Sequence, residues 1–146
     1  MNSDALGFRT PIRVVFRDLD VLAHVNHAVF FTYMETARTQ FMLQRFGLDG
    51  PAALPVILAH ASCRYLSPVR FDERLEVLLT VGRIGHKSFD LDYRIERASG
   101  EPVAEGKTVM VAYDYAAGAS RPIPADVRER LEEFQAESTP VMEGPS

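Results

Sequence analysis

The chain has one cysteine, no excess of basic residues and no apolar run long enough to cross a membrane. Each shortage removes a class of explanation. Cys63, standing alone, cannot form an internal disulfide, and its place in a strand-like stretch reads as a small buried hydrophobe rather than a nucleophile. The formal net charge of −4 gives no general attraction to nucleic acid or to an anionic membrane, although a local basic patch can still hold a phosphorylated ligand. No basic segment leading into an apolar core opens the chain, and no apolar stretch is of spanning length, so the expected location is cytoplasmic, without membrane insertion. Internal repeats and low-complexity tracts are also missing. What is present is 146 residues, 47% hydrophobic and 25% charged: one soluble domain with a sizeable core and no room for a second catalytic domain.

The stretch from Pro11 to Phe46 organises the rest. Ile12 to Arg17 is rich in β-branched residues and reads as a strand. Ala28 to Phe46 holds neither Gly nor Pro, and Phe30, Met34, Ala37 and Phe41 recur at spacings of four, three and four, which predicts a helix with one apolar face. Phe31, Tyr33 and Met42 widen that face, as expected of a helix wrapped by other elements. Between strand and helix, Asp18 to His27 crowds two carboxylates, two imidazoles and an amide into one turn. Asn26 is a good N-cap, because its side-chain oxygen can accept an unpaired N–H of the first turn. The polar cluster therefore lies at the positive end of a helix.

Met1 to Thr10 reads as an arm. Gly47 to Pro51 stops the helix, since Gly47 can adopt the left-handed conformation and Pro51 cannot continue it. Four strands are expected in meander order: Val56 to Leu66, Arg74 to Ile84, Phe89 to Arg97 and Val103 to Tyr113, separated by turns at Ser67-Pro68, Gly85-His86-Lys87 and Ser99-Gly100. Val127, Leu131 and Phe134 mark a short amphipathic helix after Pro124, and residues 137–146 read as a disordered tail. The domain proper spans residues 11–136. One strand, a buried helix and four further strands give α+β, with an antiparallel sheet of about five strands curled round the long helix: a hotdog.

Asp18-Leu19-Asp20, His24-Val25-Asn26-His27 and Met34-Glu35-Thr36-Ala37-Arg38-Thr39 resemble the acyl-CoA thioesterases of the 4-hydroxybenzoyl-CoA thioesterase type. Pro55-Val56-Ile57, Pro68-Val69, Lys87-Ser88-Phe89 and Ile123-Pro124 are similar in order and spacing, so the resemblance covers residues 11 to 134. It implies a hotdog enzyme that hydrolyses an acyl-CoA thioester, with no metal and no cofactor beyond the coenzyme A of the substrate, working as a homodimer or homotetramer. An exposed sheet edge agrees with such assembly.

Hydrolysing a thioester needs a nucleophile or a base for water, and donors aimed where negative charge grows on the carbonyl oxygen. A helix N-terminus supplies donors, and a carboxylate just upstream can lie across the carbonyl carbon. By that geometry Asp18 and Asp20 both qualify. The resemblance places the catalytic carboxylate at Asp20 and the oxyanion N–H at His27, and implies substrate contacts from His24, Asn26, Tyr33, His60, Lys87 and Ser88. Lys87 and Ser88 would meet the nucleotide phosphates of coenzyme A, and His60 would stand in a wall shared between subunits. Simpler readings run beside these. An Asp after a strand commonly holds a turn, Glu35 and Arg38 make a helix ion pair, and His24 with His27 lacks a third metal ligand. A hotdog hydratase using Asp20 and His24, and a non-catalytic acyl-carrier-binding module, remain alternatives.

Overall fold

The computed structural model describes residues 7–46 and 55–138. Strand β1 (Phe8–Arg13) leads through a single 3-10 turn (Phe16–Asp18) to helix α1 (His27–Phe46). Then come β2 (Val56–Tyr65), β3 (Arg74–Ile84), β4 (Ser88–Arg97), β5 (Pro102–Asp114), the two-residue β6 (Ala119–Ser120) and helix α2 (Ala125–Glu137). The strands pair antiparallel in the order β1-β3-β4-β5-β2, with β6 beside β5. The curved sheet holds α1 on one face, the expected α+β hotdog arrangement.

Two periodicities meet in the core. Along β4, Phe89, Leu91, Tyr93 and Ile95 alternate onto the face toward α1 and are fully buried. Phe30, Met34, Ala37 and Phe41 of α1 repeat with the helical period and are buried against them. Each large side chain so buried contributes about 1.5–3 kcal/mol. Close approach of helix and sheet depends on Gly106, where a Cβ would collide with Met34 Sδ and lie 2.9 Å from Ser62 O. At the far end of α1, Phe134 of α2 packs on Phe41 with ring centroids 4.9 Å apart.

Several expectations need correction. The first strand is Phe8–Arg13, earlier than Ile12 to Arg17, because Phe8 to Arg13 pair with Leu79 to Arg74 of β3; residues 8–10 thus belong to the sheet and not to an arm. The order is not a four-strand meander. β3, β4 and β5 form one, but β2 crosses to the outer side of β5 and becomes an edge. Cys63 is half-buried, not buried. The helix stop expected at Gly47 to Pro51 lies outside the described residues, as does most of the expected tail.

Candidate active site

The segment between β1 and α1 is a tied turn. Asp20 N–H donates to His24 O at 2.9 Å and Ala23 N–H to Asp20 O at 3.0 Å. Asp20 Oδ1 accepts from the N–H of Leu22 at 2.9 Å and, more weakly, of His24 at 3.4 Å. One carboxylate oxygen thus holds the turn, as the simple reading of a post-strand Asp expects. The other, Oδ2, has no hydrogen-bond partner among the described residues. Val25 N–H to Val69 O, 2.8 Å, fastens the turn to the loop after β2.

Asn26 caps α1: its Oδ1 accepts from Ala28 N–H at 2.9 Å and its backbone oxygen from Val29 N–H at 2.9 Å. The N–H of His27 is left without an acceptor among the described residues. His27 borders a cleft of about 340 Å³ together with Asp20, His24, Phe30, Tyr65 and Ser67. A residue with a free carboxylate oxygen and one with a free N–H at the positive end of a helix therefore border one cavity.

Asp18 and Tyr33 have other work. Tyr33 is buried, and its hydroxyl donates to Asp18 Oδ2 at 2.8 Å, while Asp18 Oδ2 also accepts from Val15 N–H at 3.0 Å. Burial first, then the hydrogen bond and charge of Asp18, push the Tyr33 phenol far above its ordinary range. Tyr33 is thus a core residue rather than the substrate contact expected, because the helix turns it into the sheet. Asn26 likewise spends its side-chain oxygen on the cap.

Three expected residues are not brought to the cleft within one chain. His60 follows a register shift in β2 and pairs with Val109, a position on the outer face of the sheet, whereas Ala61, Cys63 and Tyr65 face α1. Lys87 is exposed. Ser88 lies across from Val111, which pairs with Ile57; that row is roughly 26 Å along β2 from Tyr65. Ser88 Oγ accepts from Arg83 at 2.9 Å, and Arg128 clamps the turn by donating to the Gly85 and His86 carbonyls.

The residue that sequence reasoning missed is Tyr65. Its ring stacks on His27, centroids 4.3 Å apart and planes at 24°, and its hydroxyl donates to His27 O at 3.0 Å. Burial and the neighbouring Cys63 raise its phenol. Beyond it, Arg97 ties Glu73 (2.8 Å), Glu101 (3.1 Å) and Pro68 O (2.6 Å), bracing the loop that forms the cleft wall. Glu73 is partly desolvated, which raises its carboxyl, but hydrogen bonds from Arg97 and Arg70 outweigh this and leave it below its ordinary range. Among the described residues no three His, Cys, Asp or Glu side chains converge as metal ligands.

Residues 14–131 match the family model for the thioesterase-like superfamily. The acyl-CoA thioester hydrolase YbgC of Escherichia coli O6:H1 is 26% identical over 82% of this chain and 92% of its own length. A thioesterase of Thermus thermophilus, solved with coenzyme A and Zn, is 32% identical, superposes with a TM-score of 0.79 and shares 88% of this chain and 94% of that one. A 1,4-dihydroxy-2-naphthoyl-CoA thioesterase of Synechocystis, 22% identical over 87% of this chain and 96% of that one with a TM-score of 0.77, bears on the fold alone.

Proposed function

Because the chain belongs to the thioesterase-like superfamily, we propose that it hydrolyses an acyl-CoA thioester to the free acid and coenzyme A, with Asp20 as the working carboxylate and the His27 N–H as the oxyanion donor. One observation carries this reading: Asp20, with an unengaged Oδ2, and His27, with an unengaged N–H, border the same cleft. A thioester carbonyl seated there would point its oxygen at the helix start, where the N–H and the aligned peptide dipoles favour the negative charge that develops. Asp20 Oδ2 then either attacks the carbonyl carbon, giving an anhydride that water opens, or removes a proton from the water that attacks. Both routes break the carbon–sulfur bond, release the thiolate and yield the same acid. Thioester, water and side chains supply every atom. In this reading His24 and the His27 ring, which border the same cleft, orient substrate or water.

Lys87 and Ser88 enter this reading through a second subunit. β2 is an edge strand, half-open along its length, with Leu58 48% exposed. Antiparallel pairing of two β2 strands about an axis near Ala61 would set the Ile57 end of one beside the Tyr65 end of the other. The row holding Ser88 would then approach the partner's cleft, where Lys87 can meet nucleotide phosphates as a point charge. The proposed enzyme is thus a homodimer, or a tetramer built from it, acting in the cytoplasm.

Trapping free thiol over a panel of acyl-CoA thioesters tests the proposal, with release of coenzyme A as the expected result. Loss of the double bond of an enoyl-CoA without free thiol would instead make the protein a hydratase, and retention of intact acyl-CoA would make it a binding module.

A further inference from the structure

Two cavities follow one another along the seam between α1 and β2, the cleft at the His27 end and a second toward Arg38. Tyr65, Cys63, Ala61 and, past the register shift, Leu58 stand on the β2 side, and His27, Phe31, Glu35 and Arg38 recur at helical spacing on the other. Arg38 is eleven helical steps from His27, about 16 Å of rise. At the far end is a cavity of about 170 Å³ bordered by Phe31, Met34, Glu35, Arg38, Ala61 and Thr108.

Arg38 is unusual there. Its side chain is only 13% exposed, yet it makes one long hydrogen bond, 3.4 Å to Tyr93 Oη, and one loose ion pair, 3.9 Å to Glu35 Oε2. The Tyr93 oxygen is already engaged with Thr108 Oγ1 at 2.7 Å, and Glu35 is 66% exposed. Withdrawing a guanidinium from water with so little in return is costly, and its planar fork suits a carboxylate.

Resting on the hydrolase reading, we propose that the seam joining the two cavities is a groove that receives the acyl chain and that Arg38 binds a carboxylate at its distal end, so that the preferred substrates are ω-carboxyacyl thioesters long enough to span from His27 to Arg38. Phe31, Ala61 and Leu58 line the groove for the methylenes, and Thr32, Glu35 and Thr108 share the far cavity with Arg38. Glu35 sets the limit on this preference. Its negative charge competes for the guanidinium, but being solvated and at 3.9 Å it can swing outward when a carboxylate arrives.

The test compares kcat/KM for adipoyl-, suberoyl-, sebacoyl- and dodecanedioyl-CoA with that for the unsubstituted acyl-CoA of equal chain length, alongside sedimentation velocity of each variant. At one or more lengths the dicarboxylic thioester is favoured by about 10- to 100-fold, the scale of a charge-assisted hydrogen bond. The ratio falls to about one in Arg38→Gln, is partly kept in Arg38→Lys, which retains charge without the fork, and rises in Glu35→Gln. If Arg38→Gln fails to fold, the wild-type ratio with Arg38→Lys and Glu35→Gln still decides. Wild-type hydrolysis of plain acyl-CoAs with no preference at any length overturns the inference and leaves the hydrolase reading standing. A preference that survives Arg38→Gln overturns it too, as does an Arg38→Gln chain that dissociates with both substrate classes falling alike, since the arginine's partner would then be a second copy. No turnover of any thioester removes the hydrolase reading and this inference with it.

Discussion

Tyr65 lies flat on the imidazole of His27 at 4.3 Å and donates its hydroxyl to the His27 carbonyl at 3.0 Å. The contact joins the end of the edge strand to the first residue of the central helix, so the start of the helix is anchored from the sheet. Phe30 meets the Tyr65 ring edge-on at 5.3 Å and holds it in place.

Tyr65 should therefore act as a positioning residue. Tyr65→Phe keeps the stack and loses one hydrogen bond, with an expected cost near 1 kcal/mol of stability and a few-fold fall in kcat. Tyr65→Ala frees the helix start, and kcat should fall by roughly ten- to a hundredfold, the low end of what losing an oxyanion donor costs. Thermal melts and steady-state kinetics on both variants check this, and equal kinetics in both would show that the ring does not orient His27.

The two aspartates should separate cleanly by assay. Asp20→Asn keeps an oxygen for the Leu22 N–H but removes the charge needed to attack or to accept a proton, so kcat should fall by roughly two to four orders of magnitude with KM little changed. Asp18→Ala instead strands the buried Tyr33 hydroxyl, and the expected result is a stability loss of about 1–3 kcal/mol in chemical denaturation. A stable but inactive Asp18→Ala beside an active Asp20→Asn would reverse the assignment of roles.

These roles show how far local sequence reaches. Helix α1 was legible because its apolar positions repeat within a few residues, and Asn26 because a cap acts on its own first turn. Asp20 was legible as a turn residue for the same reason. Tyr65 was not: its partner His27 is 38 residues away, and nothing near Tyr65 tells which side of the sheet it faces or that β2 lies beside β5. The register shift between Leu58 and His60 decides that His60 points outward while Leu58 faces the helix, and counting along an alternating strand cannot find such a shift. Tyr33 misled because one apolar stripe serves equally for core and for pocket.

Asp92 should make stability depend on pH in an identifiable direction. Burial, only partly offset by Lys107 at 3.4 Å and reinforced by the nearby charge of Asp90, raises its carboxyl above the ordinary range. The folded chain then holds that proton more tightly than the unfolded chain, so the contribution is fully stabilising below the ordinary carboxylate range and is lost as the pH rises through the folded-state value. Asp92→Asn removes the charge and leaves Asp90 to hold Lys107. Its melting temperature should exceed that of the wild type by a few degrees at pH 7, and the gain should vanish in strong acid. A gain that persists or grows in acid would give the shift the opposite sign.

Assembly and phosphate binding are tested together through Lys87 and Leu58. If Lys87 reaches the partner's cleft, Lys87→Ala should raise KM for coenzyme A thioesters by roughly tenfold while barely affecting pantetheine thioesters, which lack the nucleotide phosphates. Leu58→Asp sets a charge on the open edge of β2 that pairing of two copies would take out of water, so sedimentation should shift toward monomer. Because the monomer's own Lys87 is at the far end of the sheet, a Leu58→Asp monomer should also lose the selectivity for coenzyme A over pantetheine substrates, as Lys87→Ala does in the intact assembly. A monomer that kept that selectivity would place the phosphate site within one chain and remove Lys87 from it.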